Sequence, residues 1–503
     1  MTIFHDMDKT VPSRLRRQHK KIISFIVLVS CLSACTLSLD KKQIQQHVSK
    51  VPAMDRSVKS YLQGSSAMKS GSWPKEQWWE SLQLPQLNAL VAAGLKANPD
   101  LNALRARLNA AIEESNISRA ERSPWVRFHA KTNEQYRSKN GLYRALNPNI
   151  PLDGHEVDFN VSFNYEFDFW GKYYNRFQEA VGYKKAKEAE LAEARLLTAV
   201  SISEYYLKYQ AAVSKLALSQ RLRLILQKEE ALQTILLNKN LDSEFPVLDT
   251  RLQKESVGQI IADLRTERLR YQHVINRMLA RDPEQPIAAV RNFKPLPRRL
   301  DVPKNIELNL VSRRPDLMAR IWEAQARANR VGAAMADFYP NINLIGLAGM
   351  ESVAWQKLLE LSSVTALLRP AVSLPLYTAG AIRANVRKNY AQFNEAVFAY
   401  NAALFAAVSE VMDSLAQMRS SHTSFLLEQK KLAAAGNELR LSKIRQNAGI
   451  DNQLQIYFFE KKLIENKIEN VDKNLAQYLA ALRLILSLGG GYCNQDIPIK
   501  KET

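Results

Sequence analysis

Two stretches of the chain, from Lys172 to about Lys239 and from Ala381 to about Asn447, contain no proline and one glycine each, Gly182 and Gly436. As continuous helices each would be about 100 Å long at 1.5 Å per residue, whereas ordinary helices average about 11–12 residues. Each stretch ends in a turn-forming segment, Asn238-Lys239-Asn240-Leu241-Asp242 or Asn447-Ala448-Gly449-Ile450-Asp451. A second long helical segment follows each turn, about 244–280 and 453–488. Helical hairpins of this length must pack on neighbours along their whole length to bury their apolar stripes. A long cytosolic coiled-coil scaffold would satisfy the same constraint, but the N-terminus and the strands argue against it.

The chain also repeats itself. Asn98-Pro99-Asp100-Leu101 matches Arg314-Pro315-Asp316-Leu317 at an offset of 216, which places Pro124 on Pro340. Gly171 matches Gly380 at an offset of 209, which places Leu241-Asp242 on Ile450-Asp451. The first copy therefore carries seven extra residues between Pro124 and Gly171, as a longer loop would. Each copy reads as a helix of about 20 residues, two strands and two long helices. Pro283, Pro286, Pro295, Pro297 and Pro303 lie between the copies and predict an extended linker.

The clearest strand is predicted over Asp158–Phe169. Phe159, Val161, Phe163, Tyr165, Phe167 and Phe169 fall on one face, and Asp158, Asn160, Ser162, Asn164, Glu166 and Asp168 on the other. Strict period-2 alternation over this length suits a transmembrane strand, apolar toward lipid and polar toward a lumen. Weaker strands are predicted over 126–136, 341–350 and 371–377, the last with Val372, Leu374 and Leu376 on one face. Four strands cannot close a barrel, for which about eight is the practical minimum. Open edges are not tolerated in lipid, so membranous strands here require an oligomer.

At the N-terminus, basic residues up to Lys21 precede the apolar run Ile22–Ala34, which is too short to span a bilayer and reads as an export signal. It ends Leu32-Ser33-Ala34-Cys35, which resembles the bacterial lipoprotein box and implies acylation of Cys35; Thr36 resembles an outer-membrane address. Three Cys give no disulfide framework or zinc site. There is no G-x-G-x-x-G, P-loop, G-x-S-x-G or H-E-x-x-H, so no enzyme class gains support. The net charge of +20 is spread along helices without an aromatic-rich binding motif, a weak nucleic-acid footprint.

In this order and spacing the motifs resemble the TolC-like outer-membrane factors, specifically the lipoprotein branch serving RND-type efflux pumps. The residues are Trp78-Trp79, Ala97-Asn98-Pro99-Asp100-Leu101, Phe167-Asp168-Phe169-Trp170-Gly171, Arg313-Arg314-Pro315-Asp316-Leu317, Phe338-Tyr339-Pro340, Ser373-Leu374-Pro375-Leu376-Tyr377, Ala448-Gly449 and Leu488-Gly489-Gly490-Gly491-Tyr492. Asn240 stands where the first turn of the family carries Gly; Asn is the non-Gly residue best suited to the left-handed region.

The resemblance implies a mixed α and β membrane protein built of two tandem repeats. Three chains, each giving four strands, would form one 12-stranded outer-membrane barrel, continued by a long periplasmic α-helical barrel. The expected segments are a signal peptide (1–34), an anchor and equatorial segment (35–84), a first repeat (85–282), the linker (283–303), a second repeat (304–489) and a tail (490–503). The implied function is passive conduction of small molecules from a periplasmic adaptor and an inner-membrane RND-type pump to the exterior. It needs no cofactor beyond the lipid on Cys35 and no catalytic residue. Asp158, Asn160, Glu166 and Asp168 would face the lumen. Asp451, with Asp242 as its weaker counterpart, matches the acidic position of the periplasmic aperture, although Asp451 could equally cap the helix beginning near Asn452. Two other readings stay open: a conduit for polypeptides in type I secretion, and a lipid-anchored envelope protein without a pore. Mass spectrometry of the mature N-terminal peptide should find Cys35 acylated and first in the chain; an unmodified chain beginning elsewhere would remove the anchor.

Overall fold

A computed structural model describes residues 48–63, 67–289, 293–297, 299–304 and 306–494. The signal peptide and Cys35 lie outside the described residues. The elements run α1 (Asp55–Leu62), β1 (Met68–Gly71), a 3₁₀ turn (Trp78–Leu82), α2 (Pro85–Ala97), α3 (Pro99–Ala120), β2 (Trp125–Tyr136), α4 (Leu142–Leu146) and β3 (Asp153–Phe167). Then come α5 (Lys172–Asn238), α6 (Phe245–Met278), β4 (Leu300–Pro303), α7 (Ile306–Arg313), α8 (Pro315–Ala336), β5 (Asn341–Ser352), β6 (Val364–Ser373), α9 (Ala381–Asn447) and α10 (Gln453–Ser487).

The chain divides into two compact units. One holds residues 126–170 and 334–386, and the other holds 49–125, 171–333 and 387–494 among the described residues. The first unit is one four-stranded sheet in the order β2-β3-β5-β6. β3 and β5 are antiparallel, with Phe167 opposite Ile342 and Val157 opposite Ser352. β5 and β6 are antiparallel, with Asn341 opposite Ser373 and Met350 opposite Val364. Two sequence expectations need correction. β3 ends at Phe167, so Asp168 lies just past the strand. The last strand is Val364–Ser373, seven residues earlier at its start than the predicted 371–377. Both faces of β6 carry leucines, Leu367 and Leu368, which erases the period-2 signal. Pro370 falls within it, and proline is tolerated on a strand that is terminal in its sheet.

In the second unit the two long helices are each continuous over 67 residues. α3 and α8 have 22 residues each. The bounds of α3 and α8 differ by the offset of 216 read from the sequence, and those of α5 and α9 by 209. α3 opens with Pro99 at its first position, where a missing N–H costs nothing. Asn98 caps it, its Oδ1 accepting from the Leu101 N–H at 3.0 Å. α5 is held by Leu87 and Val91 of α2, Ile275 of α6, Tyr478 and Leu482 of α10 and the buried Trp78–Trp79 pair, all in one apolar cluster with its own Ile202, Tyr206 and Leu207. α9 packs Val411, Leu415 and Met418 against Ala481 and Leu484 of α10 and Met68, Val302 and Ile306 of the β1–β4–α7 segment. By length and composition α9 could cross a membrane; part of its apolar surface has these packing partners.

The described residues of the proline-rich linker form no helix before β4, and their carbonyls there have no ladder partners. Helix side chains supply the donors. Asn276 Nδ2 donates to Pro283 O (2.9 Å) and Gln285 O (2.8 Å), Tyr209 Oη to Ile287 O (3.0 Å), and Asn474 Nδ2 to Lys294 O (2.9 Å). The linker ends in β4, which pairs parallel with β1, Met68 opposite Leu300. This four-residue pairing is too short to register in sequence periodicity.

Asn240 and Gly449 both adopt positive φ, 57° and 76°, so the first turn survives its Asn as expected. Asn240 is exposed, so substitutions there test the backbone alone. Asn240→Gly should leave the thermal midpoint of the detergent-solubilised protein nearly unchanged. Asn240→Val should lower stability by about 1–2 kcal/mol, the left-handed penalty of a residue with a crowded Cβ.

Candidate functional site

The sheet separates two chemistries. Phe128 of β2 and Phe159 of β3 meet edge to face at 6.2 Å, as do Tyr165 and Phe167 at 4.9 Å. Register places Ile342, Leu344, Gly346, Ala348 and Met350 of β5 on this face, opposite Val372, Pro370, Leu368, Ala366 and Val364 of β6. An uncharged face thus crosses from Val157–Phe167 of β3 to β6, and Phe128, Val161, Leu368 and Val372 on it are exposed.

The opposite face collects Asp158, Asn160, Ser162 and Glu166. Asn160 Nδ2 donates to both Asp158 carboxylate oxygens, at 2.7 and 2.8 Å, and His129 Nε2 lies 2.9 Å from Ser162 Oγ. Asp158 sits directly opposite Glu351 of β5; like charges in that position repel, and the Asn160 amide offsets part of it. Asn160 faces Gly349, where an added Cβ would sit 2.7 Å from Asn160 Cβ. The structure brings three of the four sequence-predicted residues, Asp158, Asn160 and Glu166, onto one strand face. Asp168 lies beyond it.

At the second helical turn Asp451 is not the helix cap. Asn452 caps α10, its Oδ1 accepting from Gln455 N–H at 2.9 Å. Asp451 instead braces the turn: Oδ1 accepts from Arg445 Nε at 2.9 Å and Oδ2 from Ser442 Oγ at 2.8 Å. The Arg445 bond, with the Ser442 bond, holds its carboxyl below the ordinary carboxylate value. Asp242 differs: its Oδ1 accepts only from the adjacent Ser243 N–H, at 2.7 Å, among the bonds described.

A third constellation joins α5, α8, α9 and α10, and the sequence marked it only through its R-R-P-D motif. Arg314, 8% exposed, donates Nε and Nη2 to the two Asp316 oxygens at 3.0 and 2.7 Å. Its Nη1 donates to Glu410 Oε2 at 2.7 Å and to the Ser487 carbonyl at 3.3 Å. Burial opposes the Arg314 charge, but Asp316 and Glu410 outweigh it and raise its pKa. Glu193 of α5 shares a cleft of about 200 Å³ with this group. Burial first, then the Asp316 and Glu410 charges, push Glu193 up to about 7 against the counter-pull of Arg314.

Glu193 therefore favours the folded state most when protonated. That contribution is full below the ordinary value of 4.5 and is lost as pH rises through about 7. Glu193→Gln should flatten this dependence, so that its thermal midpoint exceeds that of the parent at pH 8 and approaches it at pH 4.5. Arg314→Ala removes the buried donor shared by the partly exposed Asp316 and Glu410 carboxylates and the Ser487 carbonyl and should cost about 1–3 kcal/mol, read in the same unfolding experiment.

Residues 90–281 and 309–490 match the family described as outer membrane efflux protein. The chain is 24% identical over 495 residues to the multidrug resistance outer membrane protein MdtP of Escherichia coli strain K12, covering 95% of this chain and 99% of that one. It is 27% identical over 437 residues to the outer membrane protein OprJ of Pseudomonas aeruginosa, covering 85% and 89%. The crystal structure of the CmeC outer membrane channel of Campylobacter jejuni superposes with a TM-score of 0.79 at 19% identity, covering 87% of this chain and 92% of that one. With two matched segments that together exceed half of its length, the chain belongs to the outer membrane efflux protein family and is an outer-membrane protein.

Proposed function

We propose that this protein is the exit duct of a tripartite efflux system, conducting small molecules passively across the outer membrane. The observation that carries the reading is the sheet: one face uncharged from β3 to β6, the other polar along β3, with β2 and β6 left as its edges among the described residues. Lipid does not tolerate such edges. Three copies joined β6 to β2 would close a 12-stranded barrel with Asp158, Asn160 and Glu166 inside. Two tandem repeats, spanning 85–282 and 304–489 around the linker 283–303, would each give two strands to it. The long hairpins would assemble into a periplasmic tunnel, closed near the Asp242 and Asp451 turns and met there by an adaptor that joins it to an RND-type pump. Residues 35–84 would form the anchor and equatorial segment, with Cys35 lipidated, after removal of 1–34; residues 490–503 form the tail. The chain carries out no chemistry of its own, and the energy comes from the pump. The relatives named for multidrug resistance support a small-molecule cargo.

Planar-bilayer recording of the purified protein should show discrete channels, and crosslinking in mild detergent should show a trimer. A stable pore-forming monomer, or a trimer that never conducts, would overturn the reading. Cysteines at Asp158, Asn160 and Glu166 should react with water-soluble reagents through the pore, while those at Phe159, Val161 and Phe163 should not. Asp451→Asn retains the Ser442 partner but releases Arg445. It should leave the trimer intact and reduce cation preference, beyond the loss of one charge, because a guanidinium is unmasked at the constriction; unchanged selectivity would leave Asp451 as a brace only.

A further inference from the structure

The β2–β3 connection, residues 137–152, is longer than the turn its strands require. It reads Arg-Ser-Lys-Asn-Gly-Leu-Tyr-Arg-Ala-Leu-Asn-Pro-Asn-Ile-Pro-Leu, with three cations and no carboxylate. It is a built structure. Its base is closed by Arg137 N–H to Leu152 O at 2.6 Å. Arg144 Nη1 donates to Ile150 O at 2.5 Å and Arg137 Nη1 to Pro151 O at 3.4 Å. Among the described residues Arg137, Lys139 and Arg144 form no ion pair. The α4 turn, so held, presents Leu142, Tyr143 and Leu146 at 72%, 65% and 75% exposure. Three large apolar side chains in five residues, beside unpaired cations, do not suit a surface that meets only water.

The position of the segment along the strands narrows the occupant. It lies at the hairpin end of β2 and β3, opposite the ends through which the chain enters from α3 and leaves to α5. The apolar row of β3 stops at Val157; the next residue on that face, His155, pairs with Glu134 of β2 at 3.7 Å. Trp355, in the other hairpin connection, packs its ring against Phe159 at 6.3 Å, so an aromatic side chain marks this border of the apolar face. The Arg137–Leu152 pair is five residues beyond Val157, about 16 Å along the strand or about 12 Å in height at the usual barrel tilt. The polar layer of a bilayer is about 5–8 Å deep on each side, and Lys and Arg side chains reach back several ångströms while their stems cover apolar surface. The cations therefore stand at the level of lipid headgroups.

We propose that residues 137–146 dock phosphorylated lipid headgroups of the outer leaflet, with Lys139, Arg137 and Arg144 meeting phosphate and Leu142, Tyr143 and Leu146 packing against the uncharged body of the headgroup. The inference rests on the reading above, which places this end of the strands outside the cell. Charge complementarity selects the anionic headgroup, and the absence of any carboxylate in the segment removes the internal competitor. The exposed leucines select a lipid over soluble phosphate. In a trimer the arrangement is repeated three times around the barrel.

The test uses the full-length protein in non-ionic detergent and two probes, diphosphorylated lipid A and its dephosphorylated counterpart, with binding read by thermophoresis. The parent should prefer the phosphorylated lipid by about tenfold at low salt and lose much of that preference in high sodium chloride, which screens exposed charges. Lys139→Gln with Arg144→Gln should abolish the preference, and Leu142→Ser with Leu146→Ser should weaken both lipids alike, each variant keeping its trimer and its conductance. Equal affinity of the parent for the two lipids, or a preference surviving the charge substitutions, would overturn the proposal. Dissociation of the trimer by the leucine substitutions would also overturn it, assigning the face to a neighbouring copy. Absence of conductance in the parent with lipid discrimination intact would instead strike the channel reading.

Discussion

A helix of 67 residues has an apolar stripe that it cannot bury on itself, and the rest of the helical unit follows from that constraint. α5 meets different partners along its length. Ala199 to Tyr209 share a cluster with α2, α6 and α10, and Leu216 to Leu226 share one with Val257, Ile261, Leu264 and Ile464. Ion pairs fix the remaining contacts: Glu230 is gripped by Lys254 at 2.6 Å and Arg251 at 3.0 Å, and Lys461 reaches Glu229 at 2.7 Å. Exposed members of such pairs contribute little each, so apolar burial carries the packing and charge tunes its register.

Polar burial has a different role where the four long elements converge. Arg314 is satisfied by Asp316, Glu410 and a helix-terminal carbonyl, an arrangement that stabilises less than apolar packing would but tolerates only one geometry. It fixes the start of α8 against α9 and the end of α10. The linker uses the same logic with neutral groups, since Asn276 and Asn474 replace the ladder that its prolines forbid. The molecule thus reserves buried polar side chains for places where irregular backbone must be held at a defined position.

Much of this was legible in the residues. Absence of proline located α5 and α9, and the internal offsets related their bounds. The alternation in β3 is clean because one of its faces is aromatic and the other hydrogen-bonding. β6 was misplaced because leucines on both faces hide its period, while Val372, Leu374 and Leu376 alternate past its true end. Asp451 was recognisable as a special acid, but its partners Ser442 and Arg445 lie on the preceding helix, and only the closed turn brings them within reach. Glu193 carried no signal at all; its character comes first from burial and then from Asp316 and Glu410, more than a hundred residues away in sequence.

The end of α10 has a further consequence. Gly489, Gly490 and Gly491 all have positive φ, from 56° to 85°. A Cβ on Gly489 would collide with the Arg313 carbonyl, one on Gly490 with the Leu196 side chain, and one on Gly491 with the Lys75 backbone. Beyond them the Asn494 N–H bonds to Ser312 O at 3.1 Å. Three seats on three different segments, two of backbone and one of side chain, must therefore be met at one angular phase of the helix. Adding or deleting one residue upstream would swing the glycines by about 100° around the axis and displace them by about 1.5 Å, missing all three seats together. The length of α10 is in this sense quantised: its residue count can change only with a compensating change within the same helix.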